Sequence, residues 1–144
     1  MAKEKYTQYS FLLDRTARRV KQYAQGKFKE LNFEVTVDQW LVLRNLDQHE
    51  QLNQRELAEL VFKDHPTLTR IIDLLCKKGL TVRNPHPKDR RSFIISLTPA
   101  GQEKVSELKP QIAAIRVKAW ENLTDADFEH FKKTLNTIYD NLSL

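Results

Sequence analysis

Between Pro66 and Lys77 the side chains separate into two faces. Leu68, Ile71, Ile72 and Leu75 fall at helical spacing and must turn to a core, which leaves Pro66, Thr67, Thr69, Arg70, Asp73 and Lys77 pointing away. That outer face is short and polar, and it carries donors of the kind that meet base edges in a major groove: Thr67, Thr69 and Arg70, with Pro66 suited to an apolar contact with a thymine methyl. A second cluster follows at once. Asn84, Pro85, His86, Pro87, Lys88 and Asp89 supply turn chemistry between the strand-like runs Thr81 to Arg83 and Ser92 to Leu97, so the reading is a β-hairpin whose tip carries Lys88, Asp89, Arg90 and Arg91. A short polar helix followed by a basic hairpin is the layout of a winged helix.

The elements that position these residues are legible from their punctuation. Asn53 and Glu56 have capping-box spacing and start a helix expected to bury Leu57, Leu60 and Val61, ending near Phe62 and Lys63. Asp64 or His65 then caps the next helix, with Pro66 in its first turn, where a missing N–H costs nothing. Gly79 stands where a left-handed residue closes that helix, just after Lys77 and Lys78. Thr98 and Pro99 open a further helix beyond the hairpin, and Gln51, Leu52 and Asn53 are candidates for a short strand beside it. Asn53, Gln54, His65, Lys77 and Lys88 are placed to contact phosphates. Asp73 carries the wrong charge for a groove and is expected to orient a neighbouring Arg, whose identity the sequence leaves open.

Charge supports the same reading. Residues 77–91 hold six basic and one acidic residue, a local +5 that equals the net charge of the whole 144-residue chain. A charge run alone is usually a solvated face; one directly after a candidate reading helix favours phosphate neutralisation.

At this point the run LTRIIDLLCKKGLTVRNPHPKDRRSFIISLTPAGQE resembles the MarR family of bacterial transcription regulators. The likeness rests on the helix ending in Lys-Gly-Leu, the Asp89-Arg90-Arg91 wing, the alternating strand and the Leu-Thr-Pro-Ala-Gly exit. It implies a homodimer on pseudo-palindromic double-stranded DNA, often released by a small aromatic or anionic effector or by oxidation. It also implies Arg91 in the minor groove with Asp89 as its brace, and Arg90 adds a phosphate contact. Oxidation-sensing relatives carry their reactive Cys near the N-terminus. Here the single cysteine is Cys76, for which the reading is a small, partly buried residue.

The flanks are helical and amphipathic. Leu13, Ala17, Val20, Ala24, Phe28 and Leu31 stripe a first long helix, widened by Tyr9, Leu12, Thr16 and Tyr23, and Thr36 with Gln39 makes a second capping box before Trp40, Leu41, Leu43 and Leu46. Val105, Leu108, Ile112, Ile115, Ala119, Trp120 and Leu123 mark a long helix in which Pro110 is expected to produce a kink or break. A last helix, capped by Thr124, carries Phe128, Phe131, Leu135, Ile138, Tyr139 and Leu142. The expected organisation is one mainly α domain over 1–144: a winged helix-turn-helix at 36–98, and dimerisation helices at 1–35 and 99–144. An effector pocket, if present, is expected where the first, second and kinked helices meet, with Tyr9, Leu13, Arg15, Arg18, Trp40 and His49 as candidates.

Several classes are disfavoured. The four His residues, 49, 65, 86 and 130, form no metal-ligand spacing, and no nucleophile–base pair, paired carboxylates or phosphate-cradling glycine loop is present, so neither an enzyme nor a metal or other cofactor is expected. No apolar run is long enough for a bilayer and no signal pattern opens the chain, which suggests a cytoplasmic protein with no membrane partner. The alternative of a different class is a winged-helix adaptor for protein–protein contact, its basic wing merely solvated.

Overall fold

The computed structural model describes residues 2–144. In chain order the elements are α1 (Glu4–Glu30), α2 (Val37–Gln48), β1 (Leu52–Asn53), α3 (Gln54–Val61), α4 (His65–Lys77), β2 (Thr81–Pro85), β3 (Phe93–Leu97), α5 (Pro99–Val117), a 3-10 turn (Lys118–Trp120) and α6 (Asp125–Asn141). The three short strands form an antiparallel sheet in the order β1-β3-β2, with Leu52 opposite Ile95 and Thr81 opposite Leu97. This is a mainly α winged helix-turn-helix.

Side-chain caps set most helix starts. Thr36 with Gln39, Asn53 with Glu56 and Thr124 with Asp127 each close a reciprocal capping box, while Asp64 and Thr98 accept the backbone N–H groups of Thr67 and Gly101. α4 ends in a Schellman turn: the Leu80 N–H donates to the Leu75 carbonyl, the Gly79 N–H to that of Cys76, and Gly79 sits at φ 77°. The next helix is docked directly on this turn. The Thr98 hydroxyl donates to the Gly79 carbonyl at 2.6 Å, and a Cβ on Gly101 would stand 2.0 Å from the Leu80 carbonyl oxygen, so only glycine allows α5 to start there.

One core unites the head. Leu43, Leu57, Leu68, Ile72, Leu75, Ile95, Val105 and Leu108 are almost fully buried and belong to a cluster that also takes in Ala24 and Phe28 of α1. Three sequence expectations are corrected here. Leu60 is exposed, because α3 has only two turns and its buried face is already filled by Leu57 and Val61. Of the kink or break expected at Pro110 the break does not occur: α5 runs continuously through it, and the Ser106 carbonyl that its missing N–H would have met lies on an exposed part of the helix where water can serve it. α5 stops at Val117, so Ala119 and Trp120 fall in the 3-10 turn, where the indole packs edge-on against Phe128 and Phe131 at 5.5 and 5.0 Å and orients α6.

The short strand expected near Leu52 is present, and the first wing strand extends through Pro85. A proline is tolerated there because β2 is an edge strand.

Candidate nucleic-acid interface

α4 begins at Asp64, whose carboxylate takes the Thr67 N–H at 2.8 Å. That backbone bond, with Arg70 adding a favourable charge, holds the Asp64 carboxyl below its ordinary value. Pro66, Arg70, Asp73 and Lys77 are exposed along one side of α4, and Thr67 is half-buried. Leu68, Ile72 and Leu75 are buried on the other side, so the helical phase inferred from sequence is the phase observed.

Thr69 is held differently from its expected role. Its hydroxyl donates to the His65 carbonyl at 2.9 Å and accepts from Gln54 Nε2 at 2.6 Å, while the same Gln54 amide stands 3.2 Å from His65 Nε2. The Thr69 oxygen is thus engaged with the protein, because α3 and α4 meet tightly enough for Gln54 to bridge them. Asn53 is engaged too: its Oδ1 caps α3 through the Glu56 N–H at 2.8 Å.

The wing tip is shaped by two side chains acting on its own backbone. Asp89 Oδ1 accepts the Arg91 N–H at 3.0 Å, and His86 Nδ1 accepts the Lys88 N–H at 3.0 Å. Across the hairpin the His86 N–H donates to the Ser92 carbonyl and the Ser92 N–H to that of Asp89. Asp89 braces the tip through backbone rather than through a side-chain ion pair. Lys88, Arg90 and Arg91 are left fully outward, and among the described residues neither they nor Arg70 and Lys77 form an ion pair. Five cations outside any ion pair, spread over one helix face and one hairpin, are suited to a polyanion.

The partner of Asp73 is Arg83 of β2, at 2.7 Å. Sequence reading placed Arg83 in a strand without assigning it a role. The signal was available: β2 follows α4 after the three-residue turn Lys78-Gly79-Leu80, and period-2 alternation puts Thr81 and Arg83 on the face turned to that helix.

The six pocket candidates are not brought together. Trp40 is only 5% exposed and is part of the head core; His49 caps the end of α2 with Nδ1 2.9 Å from the Asn45 carbonyl; Arg18 pairs with Asp14 on the outside of α1; Tyr9 and Leu13 are exposed nearer the start of α1. Only Arg15 lines the main cleft, a space of about 600 Å³ between α1 and the end of α5 that also meets Arg19, Val20, Tyr23, Arg116 and Trp120. The reason is geometric: α2 turns its large residues into the head, so the cleft is walled by α1 and α5 instead. Burial, with the Arg44 charge nearby, pushes the Arg116 guanidinium below its ordinary value.

Comparison with known proteins agrees with this geometry. The MarR family model matches residues 35–93. The transcriptional regulator SarZ of Staphylococcus aureus (strain MRSA252) is 34% identical over 98 residues, which is 68% of this chain and 64% of that protein, so the match spans under two thirds of the relative's length. A protein of unknown function from Listeria innocua Clip11262 is 31% identical over 99% of this chain and 98% of its own, with a TM-score of 0.72. S. aureus MepR, solved in complex with DNA, superposes with a TM-score of 0.81 at 25% identity over 93% of this chain and 98% of that one. The family-model match over the winged head, together with these relatives and solved structures, therefore places this chain in the MarR family.

Proposed function

We propose that this protein is a sequence-specific double-stranded-DNA-binding transcriptional regulator, acting as a cytoplasmic homodimer. The observation that carries the reading is the shared exposure of Arg70, Lys77, Lys88, Arg90 and Arg91 without carboxylate partners, on a helix and a hairpin held in one rigid head. Thr67 and Arg70 read bases, with Pro66 against a thymine methyl. Asn53 Nδ2, His65, Lys77, Lys88 and Arg90 position the head on phosphates, and Arg91 enters the minor groove from the tip that Asp89 braces. Gln54 and Thr69 brace α4 from within. The MepR structure supports the reading, since a protein of this fold has been solved on DNA.

Residues 36–98 serve DNA, and 1–35 with 99–144 serve pairing. A second copy across the exposed stripes of α1 and α6 would set two reading helices about one DNA turn apart, roughly 34 Å. Repression then follows from occlusion of promoter DNA. Release by a small aromatic or anionic effector is supported by the α1–α5 cleft, where Arg15, Arg19 and Arg116 stand among Val20, Tyr23 and Trp120.

The test separates base reading from phosphate neutralisation. Duplexes are selected from a random pool, and binding is titrated over a salt series on a selected and a scrambled duplex. Arg70→Ala should relax preference at particular base pairs. Lys88→Ala should weaken both duplexes alike and lower the slope of log K against log salt by about 0.9, the release from one phosphate. Arg91→Ala should cost about 1–3 kcal/mol on the selected duplex. A protein adaptor with a solvated wing would bind neither duplex with a steep salt dependence.

A further inference from the structure

The contact between β2 and α4 offers a role beyond the groups that meet DNA. Arg83 is half-buried, and its guanidinium reaches three positions on one stripe of α4: Nη2 lies 2.7 Å from Asp73 Oδ1 and 3.4 Å from the Thr69 carbonyl, and Nη1 lies 4.0 Å from Cys76 Sγ. Beside it on the same strand face, Thr81 Oγ1 is 3.3 Å from that sulfur. The anchors are spaced at i, i+4 and i+7, so a planar fork fixed on the wing strand opposes both rotation of α4 about its axis and sliding along it.

A second observation concerns charge. Asp73 lies three residues from Arg70 and four from Lys77 on the outward side, and its side chain is 56% exposed. Uncompensated, that carboxylate would repel the phosphates its neighbours attract. Arg83 supplies the compensating charge from behind.

We propose that Arg83 is a positioning residue for DNA reading: it locks the wing to the reading helix, fixes the direction of Arg70 relative to Arg91, and masks Asp73, without itself meeting DNA. The inference rests on the proposed DNA-binding role. Its position, side on against α4 and carrying three protein contacts, distinguishes it from the free cations of the tip. The expected signature is a loss of discrimination rather than a loss of charge.

The experiment uses the full chain, a duplex enriched by the wild type from a random pool, and a scrambled duplex of the same length. Arg83→Met should lower the ratio of selected to scrambled affinity by about tenfold or more, within the range of a specific contact, with an unchanged salt slope. Asp73→Asn should act in the same direction. The double variant should bind no worse than Arg83→Met, because both changes break one interaction and removing the carboxylate also removes its repulsion. Should Arg83→Met not fold by circular dichroism, Arg83→Lys decides: it keeps a cation for Asp73 but loses the fork, and should show a reduced ratio at unchanged slope. An equal fall on both duplexes with a slope lower by about 0.9 would instead mean direct phosphate contact and overturn the proposal, as would additive losses in the double variant or an unchanged ratio. If the wild type enriches no duplex, the DNA-binding reading falls, and this inference with it. Enrichment by the wild type with an indifferent Arg83 removes this inference alone.

Discussion

The winged head and the terminal helices use the same kind of amphipathic sequence and reach opposite outcomes. α2 buries Val37, Gln39, Trp40, Val42, Leu43 and Leu46 in twelve residues, whereas α6 buries none of its seventeen. Leu13, Val20 and Tyr23 of α1 with Leu31 just after it, and Phe131, Ile138 and Tyr139 of α6 with Leu142 just after it, all remain exposed. The stripe on α6 is as regular as that on α4, so periodicity does not separate them. The difference is what lies opposite: α2, α3 and β2 pack against α4, but α6 is anchored chiefly by Phe128 and Phe131 against Trp120. An exposed apolar stripe of this kind is a surface for a partner, which in the proposed homodimer is a second copy.

The sharpest way to break this contrast is a pair of core changes in the head. Leu43→Ala should cost about 2–5 kcal/mol, the range for a large-to-small change at a fully buried site. Gly101→Ala should be comparably damaging, since its Cβ would meet the Leu80 carbonyl oxygen at 2.0 Å and the backbone must move. Denaturant unfolding followed by circular dichroism measures both. A Gly101→Ala protein as stable as wild type would mean that α5 is not docked on the Schellman turn.

On the terminal helices the effect should appear in assembly. Phe131→Asp replaces a 45% exposed ring on the stripe of α6. If a second copy covers that ring, burial is worth about 1.5–3 kcal/mol, and dimer dissociation should shift by roughly 10–150-fold. Analytical ultracentrifugation over a concentration series reads this directly. A wild-type chain that stays monomeric at every concentration would reverse the comparison, leaving the exposed stripes unexplained by self-association.

A smaller change sharpens the boundary between the two regions. Thr98→Ala removes the oxygen that accepts the Gly101 N–H and the hydroxyl that donates to Gly79, and should cost about 1 kcal/mol. Loss should be read in urea midpoint with unchanged m-value.

The smallest effect concerns acid. Asp38 is partly desolvated, which raises its pKa, but hydrogen bonds and charge from Lys21 of α1 and Lys63 after α3 outweigh this and leave it below 3.8. A carboxyl depressed in the fold adds stability above its unfolded pKa, and that increment is lost as pH falls from about 4 through the folded value. Because the site is about a third exposed, the contribution is about 0.5–1 kcal/mol at most. Asp38→Asn should lower stability at pH 7 by this amount and flatten the acid limb of a stability–pH profile. A parallel profile displaced at every pH would show that the two ion pairs contribute nothing.

Local chemistry was readable because it is written in neighbouring residues. The capping boxes at Thr36 and Asn53, the cap at Thr124, the glycine ending α4, the inward phase of Leu68, Ile72 and Leu75 and the turn before Arg91 all depend on spacings of a few residues, and all stand as the spacing implied. The order of a polar-faced helix and a basic hairpin carried further, to the winged head itself, and the Asp89-Arg90-Arg91 run added the family likeness. What depended on distant residues was not readable. Thr69 looked free to read bases until Gln54, fifteen residues upstream, was found on its hydroxyl; Trp40 looked available to a ligand but lies in the core. The partner of Asp73 likewise required knowing how β2 lies against α4. Sequence by itself determined where each helix and turn begins and which side of each is apolar, because backbone donors and side-chain periodicity are local. Only the tertiary structure decided which polar groups remain free for another molecule, because a hydrogen bond is spent on whatever packing brings within about 3 Å.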